Sequence, residues 1–169
     1  MAITDLGQLD LDKRYSYADY LSWRLQERLE LLRGNIALMP SFPGLTHQKV
    51  LGKLYIFIGQ FLVHRTCQAF LAPFDVRLPR KQQDPDEEIY TVVQPDICVV
   101  CDESTLDVQG CKGAPDLVIE VLSPGNTQRE MREKFILYEE AGVKEYWLAD
   151  PAHRVVSRFL RNEAGVVFR

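Results

Sequence analysis

Glu120 lies in the middle of "PDLVIEVLSPGN", residues 115–126, with aliphatic residues on both sides. A continuous apolar run bounded by Pro and Gly is the pattern of a central strand covered on both faces. An ionised carboxylate in such a strand must be paired, hydrogen-bonded or bound to a metal, because a bare buried charge is costly. Two Pro-Asp pairs precede apolar strands and offer partners, Pro95-Asp96 and Pro115-Asp116. Asp116 shares a face with Glu120, but four residues of strand separate them by roughly 13 Å, too far for one ion. Asp96 belongs to a separate strand and is the preferred partner. Two facing carboxylates are reconciled by a shared proton or by a cation, and oxygen-only ligands select a hard ion, Mg²⁺ or Mn²⁺. The competing reading is that Asp96 caps a turn and Glu120 pairs with an arginine.

Three further residues could join that chemistry. Met131, Phe135 and Tyr138 form the inward stripe of a helix, and Lys134 falls on it by its three- and four-residue spacing. A snorkelling lysine is the ordinary explanation; beside two carboxylates, a lysine would instead neutralise a phosphate or orient an attacking water. His47 begins the stripe continued by Leu51, Leu54 and Ile58, where packing or capping is the commoner role. Glu30, between Leu29 and Leu31, reads most simply as a solvated strand residue.

The elements that must position these groups follow from period and punctuation. "SYADYLSWRLQ" reads as a short helix capped by Ser16, and "RLELLRGNIALMP" as a hairpin turning at Arg33-Gly34-Asn35. Residues 45–65 predict a long amphipathic helix with Val50, Leu51, Leu54, Phe57, Ile58, Phe61 and Leu62 on its apolar face. A strand near 67–78, a polar and mobile loop over 79–91, a strand in "TVVQPDICVVC", a short excursion through 104–113 and the Glu120 strand come next. A helix capped at Asn126 or Thr127 and ended by Gly142 leads to the strand "KEYWLAD", and "HRVVSRFLRNEAGVVFR" adds one or two edge strands. The order from residue 45 is helix, three strands, helix, strand.

With 169 residues and 46% hydrophobic content, the expectation is one domain spanning 1–169. The longest aliphatic runs are far shorter than a membrane span. A net charge of −4 argues against nucleic-acid binding by bulk electrostatics and leaves only a local basic patch. Candidate phosphate contacts are Lys49, Lys53, Arg77, Arg80, Lys81, Arg129 and Arg132. Four sparse cysteines and no leader-like segment predict a cytoplasmic protein with reduced thiols. Cys98-x-x-Cys101 has zinc-knuckle spacing, but residues three apart on a strand point to opposite faces and no second pair follows.

Glu30, His47, "QPDICVV", "APDLVIEVLSPGN", Lys134 and "YEEAGVKEYWLADP" together make the chain resemble the Uma-type (Uma-two) family of endonucleases, a branch of the PD-(D/E)xK superfamily. The resemblance runs from the first hairpin to about Pro151 and implies an α/β restriction-endonuclease-like core with an N-terminal helix and β-hairpin. It implies metal-dependent hydrolysis of phosphodiester bonds, in DNA, with Asp96, Glu120 and the Val121 carbonyl as ligands. The superfamily's lysine stands two residues after the acidic strand residue, a position held here by Leu122. The family carries it on the following helix, which makes Lys134 the matching residue, with His47 and Glu30 completing the pocket. A homodimer is the expected assembly. The rival is a catalytically silent scaffold that keeps the fold for protein–protein contacts; metal affinity dependent on Glu120 separates the two.

Overall fold

The computed structural model describes residues 2–40 and 43–162. Helix α1 (Tyr17–Leu21) starts where Ser16 accepts the Asp19 N–H while Asp19 accepts the Ser16 N–H, a reciprocal capping box. Strands β1 (Leu29–Leu32) and β2 (Asn35–Leu38) form a hairpin whose two turn residues, Arg33 and Gly34, both have positive φ, the backbone a two-residue turn requires. The long helix α2 (Gly44–Leu62) follows, and then β3 (Gln68–Leu71), β4 (Asp75–Arg77), β5 (Val92–Val93), β6 (Ile97–Val100), β7 (Leu106–Asp107) and β8 (Gly110–Lys112). The Glu120 strand is β9 (Leu117–Val121). Helix α3 (Gln128–Ala141) is capped by the Thr127 hydroxyl at the Glu130 N–H and stopped by left-handed Gly142. Strands β10 (Glu145–Asp150) and β11 (Val155–Leu160) complete the described chain.

These strands make two sheets. One runs β11-β10-β9-β6-β3, and β9 sits at its centre; the other runs β2-β1-β5-β4-β8-β7. The helix, three-strand, helix, strand order expected from residue 45 is the five-stranded sheet: α2, β3, β6, β9, α3, β10, with β11 as the edge. Within this sheet β9 and β10 pair in parallel, joined through α3 as a crossover requires, and in the other sheet β4 and β8 pair in parallel. Ile58 of α2 packs on Ile97, Val99 and Ile119 from one side of this sheet. From the other side Leu137 and Tyr138 of α3 meet Cys98, Val118 and Tyr146, together with Leu32, Val76 and Val93 of the second sheet. The N-terminal residues Leu9, Tyr15, Tyr17 and Trp23 cover the outer side of that second sheet through Leu29, Leu31 and Val92. Among the described residues no helix is long and apolar enough to cross a membrane.

Several expectations need correction. The run 67–78 is two strands in different sheets, as is "TVVQPDICVVC". The two segments form one antiparallel ribbon that passes from sheet to sheet, its register slipping by a residue between the Leu71–Ile97 and Val76–Val93 pairs. Pro95 stands at that joint, where a residue without an N–H cannot continue the ladder. Phe57 and Phe61 are exposed, and the buried face of α2 is carried by Leu51, Leu54, Tyr55, Ile58 and Leu62. The 79–91 segment is fastened rather than mobile: Ile89 is fully buried, Asp84 accepts the Lys81 N–H, and Lys112 donates to the Asp84 carbonyl at 2.7 Å. Two of the four cysteines are not reduced thiols, since Cys67 and Cys101 form a disulfide across neighbouring strands β3 and β6. Cys98 points into the core instead, which rules out a zinc pair with Cys101. The part of the C-terminal strand expectation that falls on 163–169 lies outside the described residues.

Candidate functional site

The register of β6 against β9 pairs Ile97 with Ile119, so the next position places Asp96 opposite Glu120. Asp96 Oδ2 accepts the Val121 N–H at 2.7 Å and meets His47 Nε2 at 3.2 Å. An ionised carboxylate only accepts, so Nε2 donates; His47 Nδ1 is buried with no hydrogen-bond partner among the described residues. The hydrogen bond to Asp96, opposed by burial, raises the His47 pKa above its ordinary value.

Glu120 projects toward α3. Its Oε1 accepts from Lys134 Nζ at 2.8 Å and from the Tyr138 hydroxyl at 2.7 Å, two residues one helical turn apart. Lys134 Nζ also lies 2.9 Å from Glu30 Oε1, which accepts the Gln94 N–H at 2.7 Å. Lys134 is therefore no snorkelling side chain, and Glu30, 1% exposed, is no solvated one. Burial, with Asp96 and Glu30 nearby, pushes the Glu120 pKa up to about 7 against the opposing pull of Lys134. Burial works against the charge on Lys134, but Glu120 and Glu30 outweigh it and keep the ammonium protonated.

All five of Glu30, His47, Asp96, Glu120 and Lys134, with the Val121 backbone, line one cavity of about 110 Å³. Asp116 stands apart, tied to Lys144 at 2.6 Å and to the Cys101 N–H at 2.7 Å. Arg77 leaves the set of phosphate contacts: it is buried and held by Asp107 at 2.6 Å and Asp86 at 3.9 Å. Lys49, Lys53, Arg80, Lys81, Arg129 and Arg132 are exposed. A larger cavity, about 300 Å³, is lined by Arg14, Arg33 and Arg80, but it also holds Glu88 and Glu140, and Arg33 is already paired with Glu140.

The sequence reading left out Tyr138, Gln94 and Arg28. On the inward stripe Tyr138 reads as packing alone; its spacing of four from Lys134 is the available signal. Gln94 immediately precedes Pro95-Asp96, and Arg28 shares a strand face with Glu30 by alternation.

The sequence matches the Uma2 family, described as "Putative restriction endonuclease", over residues 17–167. The chain belongs to the Uma2 family. Among solved structures, the Uma2 chain is similar to "a putative nuclease belonging to DUF820 from Anabaena variabilis ATCC 29413", with a TM-score of 0.67, 22% identity, and coverage of 86% of this chain and 79% of that one. This likeness supports the restriction-endonuclease-like core. No curated protein matches the Uma2 chain.

Proposed function

We propose that the chain is a metal-dependent endonuclease hydrolysing phosphodiester bonds, in DNA, at the cavity lined by Asp96, Glu120, Lys134, His47 and Glu30. The observation that carries this reading is how the two facing carboxylates are used. One oxygen of each is tied down, Asp96 Oδ2 by Val121 and His47, Glu120 Oε1 by Lys134 and Tyr138; the other oxygen of each receives no hydrogen bond from any described residue. Such a pair suits a hard cation. Among the described residues no three His, Cys, Asp or Glu side chains form a group that could cage an ion alone. Mg²⁺ needs no cage, because one or two carboxylates with retained waters satisfy it.

Asp96 and Glu120, with the Val121 carbonyl, are the residues that would hold Mg²⁺ or Mn²⁺. When bound, the ion polarises the scissile phosphate and lowers the pKa of a water. Lys134 has three N–H donors, and its two carboxylate partners leave one for a phosphate oxygen or the attacking water. Glu30 keeps that ammonium charged and in place. His47 fixes the Asp96 carboxylate in the orientation that leaves Oδ1 available. Two-strand cleavage calls for two sites, and a homodimer is the arrangement we propose for it.

The test combines calorimetry of Mg²⁺ and Mn²⁺ binding with plasmid nicking at low salt, on wild type and Glu120→Gln. Wild type is expected to bind metal and nick, and the variant to do neither. Equal metal affinity in both, with intact plasmid, would establish the silent-scaffold reading instead. Sedimentation equilibrium measures the dimer.

A further inference from the structure

Arg28 sits at the same cavity as the catalytic carboxylates, and its guanidinium is held by an unusual partner. Nε and Nη2 donate to a single acceptor, Gln94 Oε1, at 3.2 and 2.9 Å. Gln94 is buried, and its amide cannot turn over. Its Nε2 donates to the Asp75 carboxylate at 2.8 Å and to the Tyr20 hydroxyl at 3.2 Å. A carboxylate accepts and a guanidinium donates, so chemistry fixes which end of the amide faces which group. Asp75 is itself held by Tyr17 and Tyr20, each at 3.3 Å. The chain Tyr17 and Tyr20 to Asp75 to Gln94 to Arg28 is thus closed at every link.

Arg28 forms no ion pair with any described carboxylate, although Glu30, Asp96 and Glu120 line the same cavity. Two of its five N–H groups are used and the remaining fork is open. A guanidinium locked by a neutral amide keeps its full charge for a ligand, and the ligand that matches a planar fork of donors is an oxyanion such as phosphate. The same Gln94 donates its backbone N–H to Glu30, so one residue positions both the arginine and the carboxylate that steadies Lys134.

We propose that Arg28 is a phosphate-binding residue, taking the non-bridging oxygens of a nucleic-acid phosphodiester at the mouth of the cavity, and that Gln94 is its positioning residue. This rests on the nuclease reading of the site and names how its substrate is gripped.

The experiment measures binding of a short fluorescent DNA duplex by anisotropy across a salt series, with Ca²⁺ present to limit turnover. Wild type, Arg28→Gln, Arg28→Lys and Gln94→Met are compared, with circular dichroism to check folding and calorimetry to check metal binding. Loss of one phosphate contact lowers the slope of log affinity against log salt by about 0.9. Arg28→Gln is expected to show that drop and about tenfold weaker binding with metal affinity unchanged. Arg28→Lys restores the slope without the affinity, and Gln94→Met weakens binding while keeping the slope. An Arg28→Gln protein with wild-type slope and affinity overturns the inference and leaves the nuclease reading intact. Should wild type fail to bind the duplex, the nuclease reading falls, and titration with inorganic phosphate decides for Arg28. Binding lost in Arg28→Gln then retains an anion site for a phosphate other than DNA, and no binding by wild type ends the proposal.

Discussion

Lys134 and Tyr138, four residues apart on α3, close on the same oxygen of Glu120 at 2.8 and 2.7 Å. A carboxylate in the middle of a sheet is thereby given a fixed direction, and one oxygen is left out of the helix's reach.

Removing the ammonium should be the most damaging single change. Lys134→Met leaves Glu30 and Glu120 buried without a counter-charge, and loss of one partner from a buried ion pair costs about 3–5 kcal/mol. Urea unfolding should show this, and the double variant Lys134→Met with Glu30→Gln should recover part of the loss because one uncompensated charge is gone.

The Tyr138 hydroxyl contributes a hydrogen bond to a charged acceptor. Tyr138→Phe should cost about 1.5–3 kcal/mol, measured in the same unfolding experiment. Metal affinity should fall less than in Glu120→Gln, since the free oxygen of Glu120 survives.

Glu120 gives stability a pH dependence with a definite sign. Its pKa rises from 4.5 unfolded to about 7 folded, chiefly through burial. Between these values the folded state binds more protons than the unfolded, so stability falls as pH increases through that window. The contribution is fully present below about pH 4.5 and gone above about pH 7. Unfolding free energies from pH 4 to 8, about the range over which the linkage acts, should slope downward in wild type relative to Glu120→Gln. Metal affinity should run the opposite way, strengthening as Glu120 ionises, with protons released on binding.

The thiol count provides a separate check on the fold. Denatured, unreduced protein should expose two reactive thiols, Cys98 and Cys111, and reduction should add those of Cys67 and Cys101. Four thiols without reduction would contradict the bridge.

Much of the candidate site was legible because buried charge is conspicuous in an apolar run. Glu120 in its strand, Asp96 after a proline, and Lys134 on a helix stripe each break a local pattern, and the register and the crossover bring them together. The helix and strand order could be read for the same reason, since period and caps are local. What escaped the sequence is non-local. An apolar run does not say which of two sheets it enters, so the joints near Pro73 and Pro95 were missed. Arg77 looked like a surface cation because its acidic partners, Asp86 and Asp107, lie on other segments. Gln94 and Arg28 are unremarkable until the fold places Asp75 behind them. Helical spacing places Phe57 and Phe61 on the apolar stripe but does not mark the edge of that stripe, where both are exposed.

The two sheets contribute different members of the cluster. Glu30 comes from the six-stranded sheet, whereas Asp96 and Glu120 come from the five-stranded sheet and its flank, and the Lys134 ammonium reaches both carboxylate groups. Lys134 is a latch across the seam. A chain in which either sheet has formed without the other holds only fragments of the constellation, so the proposed hydrolytic site is complete only where both sheets are in place.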